Sequence, residues 1–353
     1  MGDKMTKSIV AGGIAIGGGA PVTVQSMTTT PTSDAKETAA QINRLAGMGC
    51  DIVRVSVPDI ESANAIGEIK RKISIPLVAD IHFDHRLAIR AAEAGADKIR
   101  LNPGNIGGDA HVRAVASACS ARSIPIRIGV NGGSVGKKLL EKHGGVTAEA
   151  MYESAMEHVS ILNRCDFDDI CISVKTSNVQ LTIESYKLLR ERTSYPLHLG
   201  LTEAGTEYTG TVKSSICIGS LLSMGIGDTI RVSLTAPPER EVVAGLAILR
   251  SLGLRPGFDL ISCPTCGRCK IDLMPMAQEV EARLAPLGMD ISVAVMGCAV
   301  NGPGEASRAD YGIAGGDGEG ILFQKGEIIG KVPMDRIVDE LLMRIRHTTK
   351  SWR

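Results

Sequence analysis

From residue 22 onward the chain repeats one pattern: a short run rich in Val and Ile, a polar or glycine loop, then Ala, Leu and charged residues in helical period. The strand-like runs are 22–27, 52–57, 77–83, 98–102, 126–130, 170–175, 197–202 and 230–234. The stretches between them read as helices. In 34–48, for example, Asp34 and Glu37 form a capping-box start and Gly49 a stop. Eight successive strand–helix units over about 250 residues predict an α/β fold of the (β/α)8 barrel type, with a doubly wound open sheet as the alternative.

Before the repeat, Lys4 and Lys7 precede a weakly apolar run, 9–20, that imitates a signal peptide. Its glycines at 12, 13, 17, 18 and 19 would break the helix such a peptide needs, so a glycine-turned β-hairpin is expected. The last barrel helix reads as 238–252, and Gly253, Pro256 and Gly257 then punctuate the chain. Two domains are expected, 1–254 and 255–353. The second reads as strand 258–262, cysteine loop, helix 271–287, strand 291–296, second cysteine loop, strands 321–324 and 328–332, and helix 334–346: a small α+β unit with two loops that can meet.

Composition narrows the function. Lys+Arg 39 against Asp+Glu 39 gives no net charge, which argues against a broad nucleic-acid surface, and 3% aromatic residues are too few for a base-stacking platform. No run of 18 apolar residues predicts a membrane span. Nine scattered cysteines fit a disulfide framework poorly and a reducing, cytoplasmic setting better.

Barrel strands are enclosed on both faces and normally aliphatic, yet here nearly every one carries polar or charged residues. They are Arg54; Asp80 and His82; Arg100 and Asn102; Arg127 and Asn131; Lys175; His198 and Glu203; and Arg231 with Ser233. They would converge inside the barrel or at its C-terminal rim, where barrel enzymes build their sites. Asp80 and Glu203 cannot neutralise four arginines and a lysine, so an anionic ligand is expected, and forked donors suit phosphate oxygens. The competing reading is internal pairing, with each acid bridging two arginines. The glycine-bounded stretch 131–138 superficially resembles a phosphate-binding loop but lacks its spacing; it reads better as a mobile lid.

In the second domain, Ser262-Cys263-Pro264-Thr265-Cys266-Gly267-Arg268-Cys269 presents three thiols at two-residue gaps. Met296-Gly297-Cys298 supplies a fourth, with Glu305 beyond an Asn-Gly-Pro-Gly turn. On spacing alone an iron–sulfur centre, a zinc site and dithiol redox chemistry all remain open. Cys50, Cys119, Cys165, Cys171 and Cys217 stand singly in barrel elements and read as small core residues.

Taken together, these motifs resemble the 4-hydroxy-3-methylbut-2-enyl diphosphate synthase (IspG) family, in its two-domain bacterial form. The resemblance runs along the whole chain: Val-Gln-Ser-Met-Thr, Val-Arg-Val-Ser-Val-Pro, Ala-Asp-Ile-His-Phe, Lys-Ile-Arg-Leu-Asn-Pro-Gly-Asn-Ile-Gly, Leu-Gly-Leu-Thr-Glu-Ala-Gly and both cysteine loops. It implies reduction of 2-C-methyl-D-erythritol 2,4-cyclodiphosphate in non-mevalonate isoprenoid biosynthesis, with ferredoxin or flavodoxin as electron donor. It implies a [4Fe-4S] cluster on Cys263, Cys266, Cys298 and Glu305, with Cys269 a spare thiol. Glu305 also counts as catalytic, because an oxygen ligand exchanges more readily than sulfur. Substrate binding would fall to Arg54, Arg100, Asn102, Arg127, Asn131, Lys175, His198, Arg231, Ser233 and Ser262. Glu203 would hydrogen-bond or protonate the departing hydroxyl, helped by Asp80 and His82. A homodimer is implied, the cluster domain of one subunit capping the barrel of the other. Outside this family, a zinc-stabilised barrel lyase or aldolase acting on a phosphorylated substrate, or a non-catalytic phosphate-binding protein, would share the cationic mouth but need no electrons.

Overall fold

The computed structural model describes residues 5–298, 304 and 306–350, and the chain divides into two compact units, Met1–Leu254 and Arg255–Arg353. The first opens with a hairpin, β1 (Ser8–Ala11) and β2 (Ile14–Gly17), turned by Gly12 at φ +55° and Gly13 at φ +87°. Strand and helix then alternate. β3 (Thr23–Met27) leads to α1 (Ala35–Gly47), β4 (Ile52–Ser56) to α2 (Ile60–Lys70), and β5 (Leu77–Asp80) to α3 (His85–Glu93). β6 (Lys98–Leu101) leads to α4 (Asp109–Ser120), and β7 (Ile126–Asn131) to α5 (Lys137–His143) and α6 (Ala148–Asn163). β8 (Ile170–Lys175) leads to α7 (Val179–Arg192), β9 (His198–Leu199) to α8 (Glu207–Ser223), and β10 (Thr229–Ile230) to α9 (Pro238–Ser251).

β3 to β10 form one parallel sheet in the order β8-β7-β6-β5-β4-β3-β10-β9, and a single parallel bridge, Ile172 to Leu197, joins its two ends. This is the expected (β/α)8 barrel. Local chemistry sets the boundaries. Asp34, Asp59, Asp84, Thr147 and Asn178 cap helix N-termini with their side-chain oxygens, each contributing about 1 kcal/mol. At the opposite end, Asp51, Asp97 and Asp228 accept the amides of Val24, Leu77 and Leu197 at 2.7–2.8 Å and tie neighbouring strands together. Ile9, Ala11 and Ile16 of the hairpin pack on Ile52, Val78 and Cys171, sealing the N-terminal end.

Three strands are markedly shorter than the apolar runs suggest, and the first of them, β5, stops at Asp80 and leaves His82 and Phe83 outside it. β9 stops at Leu199 because Gly200 follows at φ +151°, and Glu203 is itself at φ +54°. β10 stops at Ile230: the Arg231 amide still donates to Leu199 O at 3.0 Å, and Ser233 lies beyond the ladder. The 131–138 stretch is also more compact than a long loop: a 3-10 turn, Gly132–Ser134, closed by Ser134 Oγ on the backbone of Asn131, runs into α5.

The second unit is a five-stranded sheet in sequence order: β11 (Asp259–Ser262), β12 (Ser292–Met296), β13 (Tyr311–Ala314), β14 (Glu319–Gln324) and β15 (Glu327–Pro333). The first three are parallel and the last two antiparallel to their predecessors. Two helices, α10 (Leu273–Leu284) and α11 (Ile337–Lys350), bury Val280, Leu284, Leu341 and Ile345 against Val293, Val295 and Ile313. β13 is absent from the sequence reading because Tyr-Gly-Ile-Ala looks like a loop. Its Gly312 is where the Phe323 ring of β14 packs across the sheet, leaving no room for a Cβ.

Replacing Ile16 by Ala should leave a cavity under the barrel and lower its stability by about 2–5 kcal/mol, read as a fall in the urea midpoint. An unchanged midpoint would mean that the hairpin is not a structural seal.

Candidate active site

Alternation along the strands turns one set of side chains into the barrel. In β6 the set is Lys98 and Arg100, followed by Asn102; in β7 it includes Arg127 and Gly129. Asp80, at the end of β5, bridges two strands: Oδ1 accepts from Arg100 Nη1 at 3.0 Å and Oδ2 lies 3.7 Å from Arg54 Nε. His82, beyond the strand and half exposed, lies 3.6 Å from the same oxygen. Burial alone would raise the proton affinity of Asp80, but Arg54, His82 and Arg100 hold its carboxyl well below the usual range. Arg100 also donates to Gly129 O at 3.1 Å, while Asn102 Oδ1 accepts from Gly129 N at 3.1 Å. A Cβ at residue 129 would fall 2.7 Å from Arg100 Nε, so glycine is required for that approach.

Arg54 and Arg231 share a soft acceptor, Met27 Sδ, at 3.0 Å from Arg54 Nη2 and 3.8 Å from Arg231 Nη1. Arg231 also meets Glu241 of α9 through two N–H groups, at 3.2 Å each. The remaining cations are poorly matched. Lys98 Nζ and Arg127 Nε and Nη2 are buried without a hydrogen-bond partner among the described residues, as are both ring nitrogens of His198. Burial first, then the neighbouring guanidinium groups, pushes Lys98 down to about 8 and Arg127 to about 10. The same causes lower Lys175, and they keep His198 neutral at physiological pH. Burial and the surrounding positive charge together thus weaken the hold of these groups on their protons.

Glu203 is exposed at the rim and forms no ion pair among the described residues. It lines a cavity of about 470 Å³ together with Asn131, Gly133, Thr176, Asn178 and Thr202. Of the internal pairing weighed from sequence, Asp80 fulfils its half and Glu203 does not. Glu241 and Lys98 were missed as site residues. Glu241 occupies the inward phase of α9 beside Val242, Gly245 and Leu249, and a carboxylate in that phase was the available signal. Lys98 stands two residues before Arg100 on the same strand face.

In the second unit, β11 and β12 are parallel neighbours, so the loops after Ser262 and Met296 leave the same sheet edge side by side. The loops touch: Gly297 N donates to Cys263 Sγ at 3.2 Å, and Lys270 N to Gly297 O at 2.9 Å. Cys266 is exposed, and the Arg268 backbone amide and guanidinium lower its thiol below the ordinary value. Cys298 is half-buried. Cys269 Sγ is turned to Ile271 O at 3.2 Å and abuts Gly297. Ser262 is exposed at the end of β11, and Glu305 lies outside the described residues. No three His, Cys, Asp or Glu side chains gather into a metal-sized group among the described residues. Of the isolated cysteines, Cys50, Cys119, Cys171 and Cys217 are buried and Cys165 is partly so.

Fold and site define a (β/α)8-barrel protein with a strongly cationic interior and a second, thiol-bearing α+β unit. Residues 6–246 match the GcpE TIM-barrel domain and residues 259–347 the GcpE protein C-terminal domain, and the chain belongs to the GcpE family. It is 57% identical over 343 residues to the 4-hydroxy-3-methylbut-2-en-1-yl diphosphate synthase (flavodoxin) of Ruminiclostridium cellulolyticum, covering 97% of each chain. It is 58% identical to the protein of that name from Caldicellulosiruptor saccharolyticus, covering 98% of this chain and 100% of the other. Among solved structures, dihydropteroate synthase from Xanthomonas albilineans shares the barrel fold, with a TM-score of 0.50 at 12% identity, over 70% of this chain and 99% of that one.

Asp80→Asn should destabilise the protein by about 3–5 kcal/mol at pH 7, because two guanidinium groups lose their buried counter-charge. A carboxyl with a depressed folded pKa stabilises fully above its unfolded pKa of about 3.9 and loses that contribution as pH falls toward the folded value. Urea midpoints of the two proteins should therefore differ by a constant amount from pH 7 to about 5 and converge below about 4. A pH-independent gap would contradict this assignment.

Proposed function

We propose that the protein catalyses the two-electron reductive ring opening and dehydroxylation of 2-C-methyl-D-erythritol 2,4-cyclodiphosphate to 4-hydroxy-3-methylbut-2-enyl diphosphate. The setting is cytoplasmic, the form a homodimer, and the electron donor a flavodoxin, the donor named for its relatives, or a ferredoxin. Two electrons and two protons enter, a ring C–O bond breaks, and one hydroxyl leaves as water. The observation that carries the reading is the unmatched positive charge of the barrel, which suits a diphosphate, in a chain of this family.

Arg54, Arg100, Arg127, Lys175 and Arg231 bind the diphosphate, with Asn102, Asn131, His198, Ser233 and Ser262 as further polar contacts. Asp80 stays ionised and orients Arg54 and Arg100, and His82 steadies it from the solvent side. Glu203, facing the cavity from the rim, gives a proton to the departing hydroxyl. A [4Fe-4S] cluster would be held by Cys263, Cys266, Cys298 and Glu305, and when bound it supplies the electrons one at a time. What supports this assignment is that Cys263 and Cys298 belong to two touching loops, with Cys263 accepting a backbone amide and the nearby Cys266 biased toward thiolate. Cys269 is engaged elsewhere and serves as packing.

Anaerobically purified protein should be brown, contain iron and turn over the cyclodiphosphate only with a reductant. Colourless protein carrying zinc would overturn the reading in favour of a lyase. Cys266→Ser should lose the iron and Cys269→Ser should keep it. Glu203→Gln should lower kcat by about 10²–10⁴ with little change in KM. A fully active monomer would refute the homodimer.

A further inference from the structure

Glu241 has no place in the reaction outlined above, yet it is a carboxylate, 4% exposed, on the first turn of α9, and its hydrogen bonds among the described residues go to Ser26, Arg231 and Leu234 at the rim of the barrel. Oε2 accepts from Arg231 Nε at 3.2 Å and from Ser26 Oγ at 3.1 Å; Oε1 accepts from Arg231 Nη2 at 3.2 Å and from Leu234 N at 3.1 Å. One carboxylate therefore fastens the end of β3, the guanidinium after β10 and the backbone leading into α9. The two-point contact occupies one edge of the Arg231 fork and leaves Nη1, which among the described residues meets the soft Met27 Sδ at 3.8 Å, on the other.

We propose that Glu241 is the positioning residue for Arg231, fixing which edge of the guanidinium is presented to the diphosphate. This rests on the reading of Arg231 as a substrate ligand. Geometry and charge make opposite predictions here. A carboxylate this close weakens the positive field at the mouth, so on charge alone its removal would tighten anion binding. As a positioning residue, its removal frees a flexible side chain whose ordering must then be supplied on binding, and affinity falls.

The test uses the reduced holoenzyme, with KM and kcat for the cyclodiphosphate and the Kd of inorganic pyrophosphate. Arg231→Ala should raise KM and Kd at least tenfold. Glu241→Gln should raise both about fivefold with kcat within twofold, Glu241→Asp should recover most of the loss, and Glu241→Gln should add nothing in the Arg231→Ala background. Ser26→Ala, which removes one contact of Glu241 without touching Arg231, should give a two- to threefold rise and serves where Glu241→Gln folds poorly. Tighter pyrophosphate binding by Glu241→Gln, or a fall in kcat at unchanged KM, would overturn the proposal while leaving the role of Arg231 intact. An unchanged KM in Arg231→Ala would overturn both.

Discussion

Removing a guanidinium or ammonium from water costs several kcal/mol unless a counter-charge goes with it. This barrel gathers Arg54, Lys98, Arg100, Arg127, Lys175 and Arg231, while Asp80 and Glu241 are the buried carboxylates that face them among the described residues. Much of the architecture makes that imbalance tolerable. Asp80 serves two arginines, Gly129 opens a carbonyl to one of them, Met27 lends a polarizable sulfur to two, and the hairpin closes the far end with aliphatic side chains. What is left uncompensated is a demand for negative charge that a diphosphate would meet. On the proposed function the site would be stabilised by its ligand, a common arrangement where stability has been traded for function.

The second unit follows a different principle. Parallel pairing of β11 with β12 places the chain leaving each strand at one sheet edge, so two short loops separated by about thirty residues come together, and Gly297 N then reaches Cys263 Sγ between them. Small residues support them from below: Ala294, Ala306, Ala309 and Ala314 line the face of the sheet opposite the helices. Backbone amides are directed at two of the sulfur atoms: Gly297 N donates to Cys263 Sγ, and at Cys266 the Arg268 amide acts together with the Arg268 guanidinium to favour thiolate.

Much of this was legible in the sequence, for identifiable reasons. The barrel was visible because enclosed parallel strands are aliphatic runs and caps mark the helices. The cationic mouth was visible because Arg54, Arg100 and Arg127 interrupt such runs. The limits were equally physical. β9 was overextended because an apolar run does not reveal that Gly200 and Glu203 adopt positive φ and release the chain from the ladder. β13 was lost because a glycine placed to admit Phe323 looks like a turn glycine. Glu241 was lost because its partner, Arg231, lies on another element, and one acidic residue in an otherwise amphipathic helix reads as surface until the fold turns it inward.

The central claim is that the barrel concentrates positive charge in order to receive a diphosphate, and proton linkage tests it most directly. Lys98, pushed down to about 8, is half protonated near that pH, and a bound polyanion would restore its proton. Calorimetric titration with the cyclodiphosphate at pH 8, in buffers of different ionisation enthalpy, should show net proton uptake on binding. Binding with no proton uptake, or no binding at all, would contradict the account.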